Sequence, residues 1–300
     1  MLSPADELLL PAVERVSLAL GGGLGAILAI ERHHLREVTH RELFMRWRTW
    51  LITAPIFGAA VMWSRWGAVA FIAVLSVQAL REYAEMVGLR GGLRLGLLGA
   101  ALAAAPLAVA APQAWFALPV IVFVAATLVP LVRGDVERGA RDLAATAFGF
   151  VYVPVALGFL LLIRERFGAG ILLALGTAVA ASDVFAFVAG RVAGRRALAP
   201  AISPNKTLEG VVGNLVGAAL GFGLMSFALP AELSPAARIL LPVVIGLGCV
   251  WGDLVESLLK RQFGVKDAGS WLPGFGGLLD RIDSLLIVLP LTYATLVVLG

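Results

Sequence analysis

The 300 residues are 60% hydrophobic and only 15% charged, with a formal net charge of +4 and a mean hydropathy of +0.92. This composition excludes an ordinary soluble domain and is typical of a helical protein that crosses a membrane many times. The single cysteine, Cys249, excludes an internal disulfide and any metal site built from several cysteines.

Apolar stretches predict an all-α, polytopic integral membrane protein with about ten transmembrane helices. The stretches lie near 13–30, 49–64, 66–80, 95–112, 114–132, 143–163, 168–190, 210–229, 239–258 and 282–299. We expect one integrated membrane domain, with N-terminal helices and basic interfacial loops over 1–142 and a C-terminal transmembrane region over 143–300 that carries the functional polar residues. The acidic N-terminus does not predict a cleavable signal peptide.

Basic residues alternate along the chain between two sets of loops. One set carries most of the 24 Lys and Arg residues and comprises 31–48, 81–94, 133–142, 191–209 and 259–281. The positive-inside rule therefore predicts that these loops face the cytosol and that both termini lie outside. We expect a multi-pass protein of the cell membrane. The active site is expected at the cytosolic face, because the two polar loops 191–209 and 259–281 follow spans that contain acidic residues.

The helix that enters the last of these loops carries Asp253, Ser257, Lys260 and Arg261 at i, i+4, i+7 and i+8. Residues at this spacing share one helix face, with the acid deepest and the two cations nearest the loop. The order suits a metal ion held by the carboxylate beside phosphates held by the cations.

Two further acids, Asp280 and Asp283, share a face at the start of the final helix. Together with Asp253 they predict a site of three carboxylates, whose oxygens favour Mg²⁺ or Mn²⁺ over zinc. The alternative is that the charges reach the membrane surface and cap the helix, without a ligand.

The chain has three Lys residues, Lys206, Lys260 and Lys266, and all lie in this suspected active region, where Lys acts as a compact charge for phosphate. Gly276 and Gly277 would let backbone N–H groups approach a phosphate, although a plain turn is an equal interpretation. Thr207 is expected to cap the helix that follows the 191–209 loop. Asp183 is compatible with a packing contact, a metal ligand or a nucleotide contact.

These residues form patterns that resemble the phosphatidate cytidylyltransferases, which are also called CDP-diacylglycerol synthases. The first pattern reads Ser257-x-x-Lys260-Arg261, then Lys266-Asp267, then Pro273-Gly274-x-Gly276-Gly277-x-x-Asp280-Arg281-x-Asp283. The second reads Asp183, Gly190-Arg191 and Ser203-Pro204-x-Lys206-Thr207-x-Glu209-Gly210. The resemblance covers the C-terminal 120 residues well and is limited, before them, to hydropathy and to REYAEM at 81–86.

The resemblance implies transfer of CMP from CTP to phosphatidic acid in the lipid bilayer, giving CDP-diacylglycerol and pyrophosphate. It implies a divalent metal on Asp253, Asp280 and Asp283, a second cation such as K⁺, a homodimer, and no nucleic-acid partner. The implied catalytic residues are Ser257, Lys260, Arg261, Asp280 and Asp283. The implied substrate-binding residues are Asp183, Ser203, Lys206, Thr207, Glu209, Lys266, Asp267, Gly276, Gly277 and Arg281.

Phe275 departs from the family pattern, which commonly has His at this position. This departure keeps open a cytidylyltransferase for another lipid phosphate and a catalytically weak homologue. Asp183 and Asp253, which lie within apolar spans, leave a third alternative, a transporter of an anionic solute. The transporter is disfavoured because the charges cluster at one membrane face and do not line a path through both leaflets.

Overall fold

The computed structural model describes residues 4–30, 42–62, 64–269, 271 and 276–300. Most of them are helical, and the helices are α1 (Pro4–Ile30), α2 (Glu42–Met62), α3 (Arg65–Val87), α4 (Gly91–Ala110), α5 (Pro112–Arg133), α6 (Gly139–Phe150), α7 (Ala156–Phe167), α8 (Ala169–Ala193), α9 (Leu208–Leu224), α10 (Pro235–Gln262) and α11 (Leu279–Leu299). A π-helical turn, Val151–Val155, joins α6 to α7 in one continuous rod. The prediction of an all-α, multi-pass membrane protein is confirmed.

Eight helices among the described residues are long and apolar enough to cross a membrane. They are α1, α3, α4, α5, the α6–α7 rod, α8, α10 and α11. Helix α9 is apolar but has only 17 residues, and the first turns of α2 carry Glu42, Arg46 and Arg48. The predicted count of about ten is therefore not confirmed, because two of the predicted segments are too short or too polar to qualify by length and composition.

Helix α3 extends beyond the apolar segment predicted near 66–80 and ends at Val87. Residues 81–86, which we expected in a loop, form its last turns, and Glu82 and Tyr83 are buried there. The helix then ends at Gly88, which has a left-handed backbone and whose N–H donates to the carbonyls of Ala84 and Glu85. The apolar pattern placed the end too early because Arg81 and Glu82 break it, although Glu82 finds hydrogen-bond partners in the interior.

The 191–209 loop contains a short antiparallel hairpin of β1 (Ala197–Ala199) and β2 (Ser203–Thr207). A polar loop without strands was expected here, and the hairpin carries Lys206 on its second strand. The predicted cap at Thr207 is confirmed: its hydroxyl accepts a hydrogen bond from the Gly210 N–H at 3.1 Å. The hairpin is thereby joined directly to α9.

Helix α9 packs against α8 through glycines at four-residue spacing, Gly213, Gly217 and Gly221. A Cβ atom on Gly217 would lie 2.5 Å from the carbonyl oxygen of Ala181, so the two backbones touch. Small residues allow this close approach, which contributes packing energy between helices in a membrane. The contact fixes α9, and with it the hairpin, relative to α8.

Helices α10 and α11 also meet through a glycine. A Cβ atom on Gly252 would lie 2.5 Å from the carbonyl oxygen of Asp283. One turn earlier in α10, a Cβ atom on Gly248 would lie 2.9 Å from the Val288 side chain of α11. The close approach brings Asp253, the neighbour of Gly252, beside the first turns of α11.

We expect Gly217→Ala to destabilise the protein by about 1–3 kcal/mol, because the added methyl group overlaps the α8 backbone. The matched control is Gly223→Ala in the same helix, where a Cβ atom meets nothing within 4 Å. Thermal unfolding in detergent would measure both variants. Equal midpoints for the two would contradict the close α8–α9 packing.

Candidate active site

Polar residues from four parts of the chain meet at one end of the helix bundle. The end of α10, the start of α11, strand β2 and the end of α3 all contribute side chains that contact one another. Arg261, at the end of α10, donates from Nε to the carbonyl of Ile202 in the hairpin turn at 3.3 Å. The hairpin therefore covers the loop end of α10.

Lys206 and Asp253 form an ion pair between the hairpin and α10. The second oxygen of Asp253 accepts a hydrogen bond from the Ser284 hydroxyl at 3.3 Å. Asp283 is buried, accepts the Ser284 N–H at 2.7 Å and lies in contact with the Asp253 carboxyl. Two carboxyls and a hydroxyl thus gather beside one ammonium group.

Lys260 lies between two acids. Its ammonium is 2.6 Å from Glu256 one turn earlier in α10 and 2.9 Å from Asp280 in α11. Glu256 is buried, and its second oxygen has no hydrogen-bond partner among the described residues. Sequence reasoning missed Glu256, although its i, i+4 spacing to Lys260 on one helix is the usual signal for such a pair.

Asp280 anchors the loop between α10 and α11. Besides Lys260, it accepts the N–H of Gly277 at 2.8 Å and the N–H of Ala268 at 3.1 Å. Gly276 has φ +82°, and a Cβ atom there would lie 2.9 Å from the Asp280 carboxylate. Asp280 therefore joins both ends of the loop to the start of α11.

The remaining predicted residues are distributed around this cluster. Lys266 and Asp267 are exposed in the loop, and Arg281 is exposed at the start of α11. Glu209 accepts the N–H groups of Arg195 and Arg196 at 3.0 and 3.3 Å, which ties the hairpin to α9.

Three predicted residues lie on the surrounding elements and are half-buried: Ser257 on α10, Ser203 on β2 and Asp183 on α8. Pro273, Gly274 and Phe275 lie outside the described residues. Their predicted places in the glycine-rich segment stay predictions.

The donor set can be compared with the expected divalent metal. Asp253, Asp283 and the Ser284 hydroxyl offer hard oxygen atoms, and the Lys206 ammonium already supplies positive charge at that position. Over residues 4–269 and 276–300, apart from the undescribed gaps, no group of three His, Cys, Asp or Glu side chains is arranged to hold a metal ion. Carboxylate oxygens are donors that Mg²⁺ and Mn²⁺ accept, and ligation of a metal by Asp253, Asp280 and Asp283 stays a prediction.

Tyr152 is a further polar group that sequence reasoning missed. It lies in the π-helical turn, is buried, and its hydroxyl has no hydrogen-bond partner among the described residues. The acids near enough to interact with it include Asp283 and Glu256. Single π-helical turns are frequent at functional sites. Pro154, which lies inside this turn and cannot donate a helical hydrogen bond, is the sequence signal that could have indicated it.

A family model and several named relatives match this chain. Residues 44–299 match the model of a family described as the cytidylyltransferase family. A phosphatidate cytidylyltransferase of Brucella abortus is 31% identical over 261 residues, which cover 82% of this chain and 92% of the relative.

Two further relatives carry the same name and are more similar over shorter stretches. That of Mycobacterium leprae is 42% identical over 157 residues, covering 52% of this chain and 50% of its own. That of Thermotoga maritima is 37% identical over 179 residues, covering 58% and 66%. The matched part of this chain thus spans only about half to two thirds of the length of these two relatives.

We expect Gly276→Ala to loosen the loop. A left-handed residue with a side chain costs about 1–2 kcal/mol, and its methyl group would also press on the Asp280 carboxylate. Gly264→Ala is the matched control, because Gly264 has φ +68° but open space around it. Hydrogen exchange at the N–H groups of Ala268 and Gly277 should accelerate in the first variant only; equal acceleration in both would contradict the anchoring role of Asp280.

Proposed function

Because the chain belongs to the cytidylyltransferase family, we propose that it transfers CMP from CTP to phosphatidic acid. A phosphate oxygen of the lipid attacks the α-phosphorus of CTP and forms the new P–O bond. The bond from the α-phosphorus to the oxygen that bridges to the β-phosphorus breaks, and its electron pair leaves with pyrophosphate. The products are CDP-diacylglycerol and pyrophosphate.

One observation supports this proposal above the others: Lys206 and Lys260 are each held by carboxylates at the same end of the bundle. In our proposal these ammonium groups bind phosphate oxygens and neutralise the charge that collects on the leaving pyrophosphate. Arg261 lies one residue further along α10 and adds a cation at the exposed rim.

The side chains of this site mainly position the two substrates and neutralise phosphate charge. The lipid phosphate is already an anionic nucleophile, so the reaction needs no side chain to remove a proton, and most of the rate gain comes from in-line alignment. When bound, a divalent metal on Asp253 and Asp283 would supply further neutralisation of phosphate charge. Asp280 holds the loop, so that Lys266 and the backbone around Gly277 stay near the substrate phosphates.

The membrane and the orientation of the site are part of the proposal. We infer a protein of the cell membrane with this site on the cytosolic side, because the helix ends that build it adjoin two of the basic loops. A monovalent cation and a homodimer stay predictions from the family.

The decisive experiment is pyrophosphate release by purified protein with CTP, Mg²⁺ and phosphatidic acid in mixed micelles. Turnover that needs all three components would support the proposal. Turnover with an isoprenoid or ether-lipid phosphate, and none with phosphatidic acid, would replace the acceptor. No turnover with any lipid phosphate, despite CTP binding to folded protein, would favour a catalytically weak homologue.

We expect Asp280→Asn and Asp283→Asn each to lower turnover by at least about 100-fold while the protein stays folded in detergent. The Asp280 carboxylate accepts hydrogen bonds from two backbone N–H groups and pairs with the Lys260 ammonium. The amide of asparagine would place an N–H donor against these donors. At position 283 asparagine would replace the buried carboxyl that contacts Asp253 with an amide. Near-native turnover in either variant would contradict the site.

The matched control for both is Asp135→Asn, an exposed aspartate in the turn before α6. We expect it to turn over at the native rate. Retention of the native thermal midpoint in all three variants would show that any loss of turnover is local to the site.

A further inference from the structure

Glu82 connects the N-terminal half of the chain to the loop of the candidate site. It lies in the last turns of α3 and is only 4% exposed. Its two carboxylate oxygens accept the backbone N–H groups of Leu278 and Leu279, at 3.0 and 2.9 Å. The side chain of Gln78, one turn earlier in α3, donates a third hydrogen bond to Glu82 at 3.0 Å.

The Glu82 carboxyl occupies the space that two glycines leave open. A Cβ atom on Gly277 would lie 2.5 Å from one of its oxygens, and a Cβ atom on Gly269 would lie 2.7 Å from its carboxyl carbon. These glycines flank the glycine-rich segment at 270–276. Glu82 is therefore enclosed by both ends of that segment, and a larger residue at either position would displace it.

Two carboxylates accept hydrogen bonds from three successive backbone N–H groups at the start of α11. Asp280 accepts the Gly277 N–H from within the helix, and Glu82 accepts the next two from a different helix. Leu278, at the cap position of α11, has no polar side chain that could do this. The N-terminal end of a helix carries partial positive charge, so a buried carboxylate is stabilised there.

We propose that Glu82 is a positioning residue for the CMP transfer. It fixes the position and orientation of the first turn of α11. That turn carries Asp280, and Asp283 follows one turn later. Glu82 acts through the backbone of Leu278 and Leu279 and contacts no reacting atom. The proposal rests on the function proposed above.

The kinetic test uses Glu82→Gln, which keeps the shape of the side chain but turns one acceptor into a donor facing a backbone N–H. We expect kcat for CMP transfer to fall by about 10- to 100-fold, since a shift of about 1 Å in catalytic groups costs this much. The KM for CTP should change less than kcat, because Lys206 lies on β2 and pairs with Asp253 of α10, apart from this turn. A kcat equal to the native value would overturn the proposal.

Glu85→Gln is the matched control, because Glu85 lies on the same helix but is exposed and pairs with Arg94 at 2.6 Å. It should leave kcat and KM unchanged. Glu82→Met separates volume from hydrogen bonding: it fills the same space without an acceptor. Full activity in the Met variant would show that Glu82 only fills space, which also overturns the proposal.

A second readout needs no turnover. Hydrogen exchange in substrate-free protein should accelerate over 277–283 in Glu82→Gln, and not in Glu85→Gln, while exchange within α4 stays native in both. Unchanged exchange over 277–283 would overturn the positioning role. If the native protein fails to convert CTP and phosphatidic acid, the proposed function fails, and this measurement still decides whether Glu82 holds the start of α11.

Discussion

Carboxylates buried among apolar helices require positive charge or N–H groups, and the arrangement of this site follows from that requirement. A buried, unpaired charge would be costly in this environment. Asp280 is satisfied by Lys260 and two loop N–H groups, and Glu82 by the first N–H groups of α11, while the partly exposed Asp253 pairs with Lys206. Each of these pairs joins two different elements, so satisfying the acids also assembles the site.

The same pairs explain how one set of residues can both hold the fold and bind phosphate. In the substrate-free protein the lysines are bound to carboxylates, which keeps their charges at fixed positions. A phosphate group that enters meets ammonium groups whose placement is already determined, and less ordering is required on binding. Preorganisation of this kind depends on rigid supports, and the glycine contacts between α8 and α9 and between α10 and α11 provide them.

The sequence predicted the fold class and the helices with long apolar runs, because a run of about twenty apolar residues rarely forms anything other than a membrane-spanning helix. It predicted the cap at Thr207 from local chemistry. It could not predict the partners of Asp280, since Ala268 and Gly277 contribute backbone N–H groups that carry no sequence signal. Glu82 was missed for a related reason: its acidic side chain marks the end of an apolar pattern, while its partners lie 196 and 197 residues further along. The hairpin was missed because Pro204 and Asn205 favour turns.

The long separation between Glu82 and α11 also bears on how the protein is made. A membrane protein is inserted as it is synthesised, and α3 enters the bilayer well before α11 exists. Until then the Glu82 carboxyl, in an apolar bundle, lacks the backbone N–H groups that later stabilise it. The insertion of α11 therefore supplies the backbone hydrogen bonds that stabilise the Glu82 carboxyl of α3.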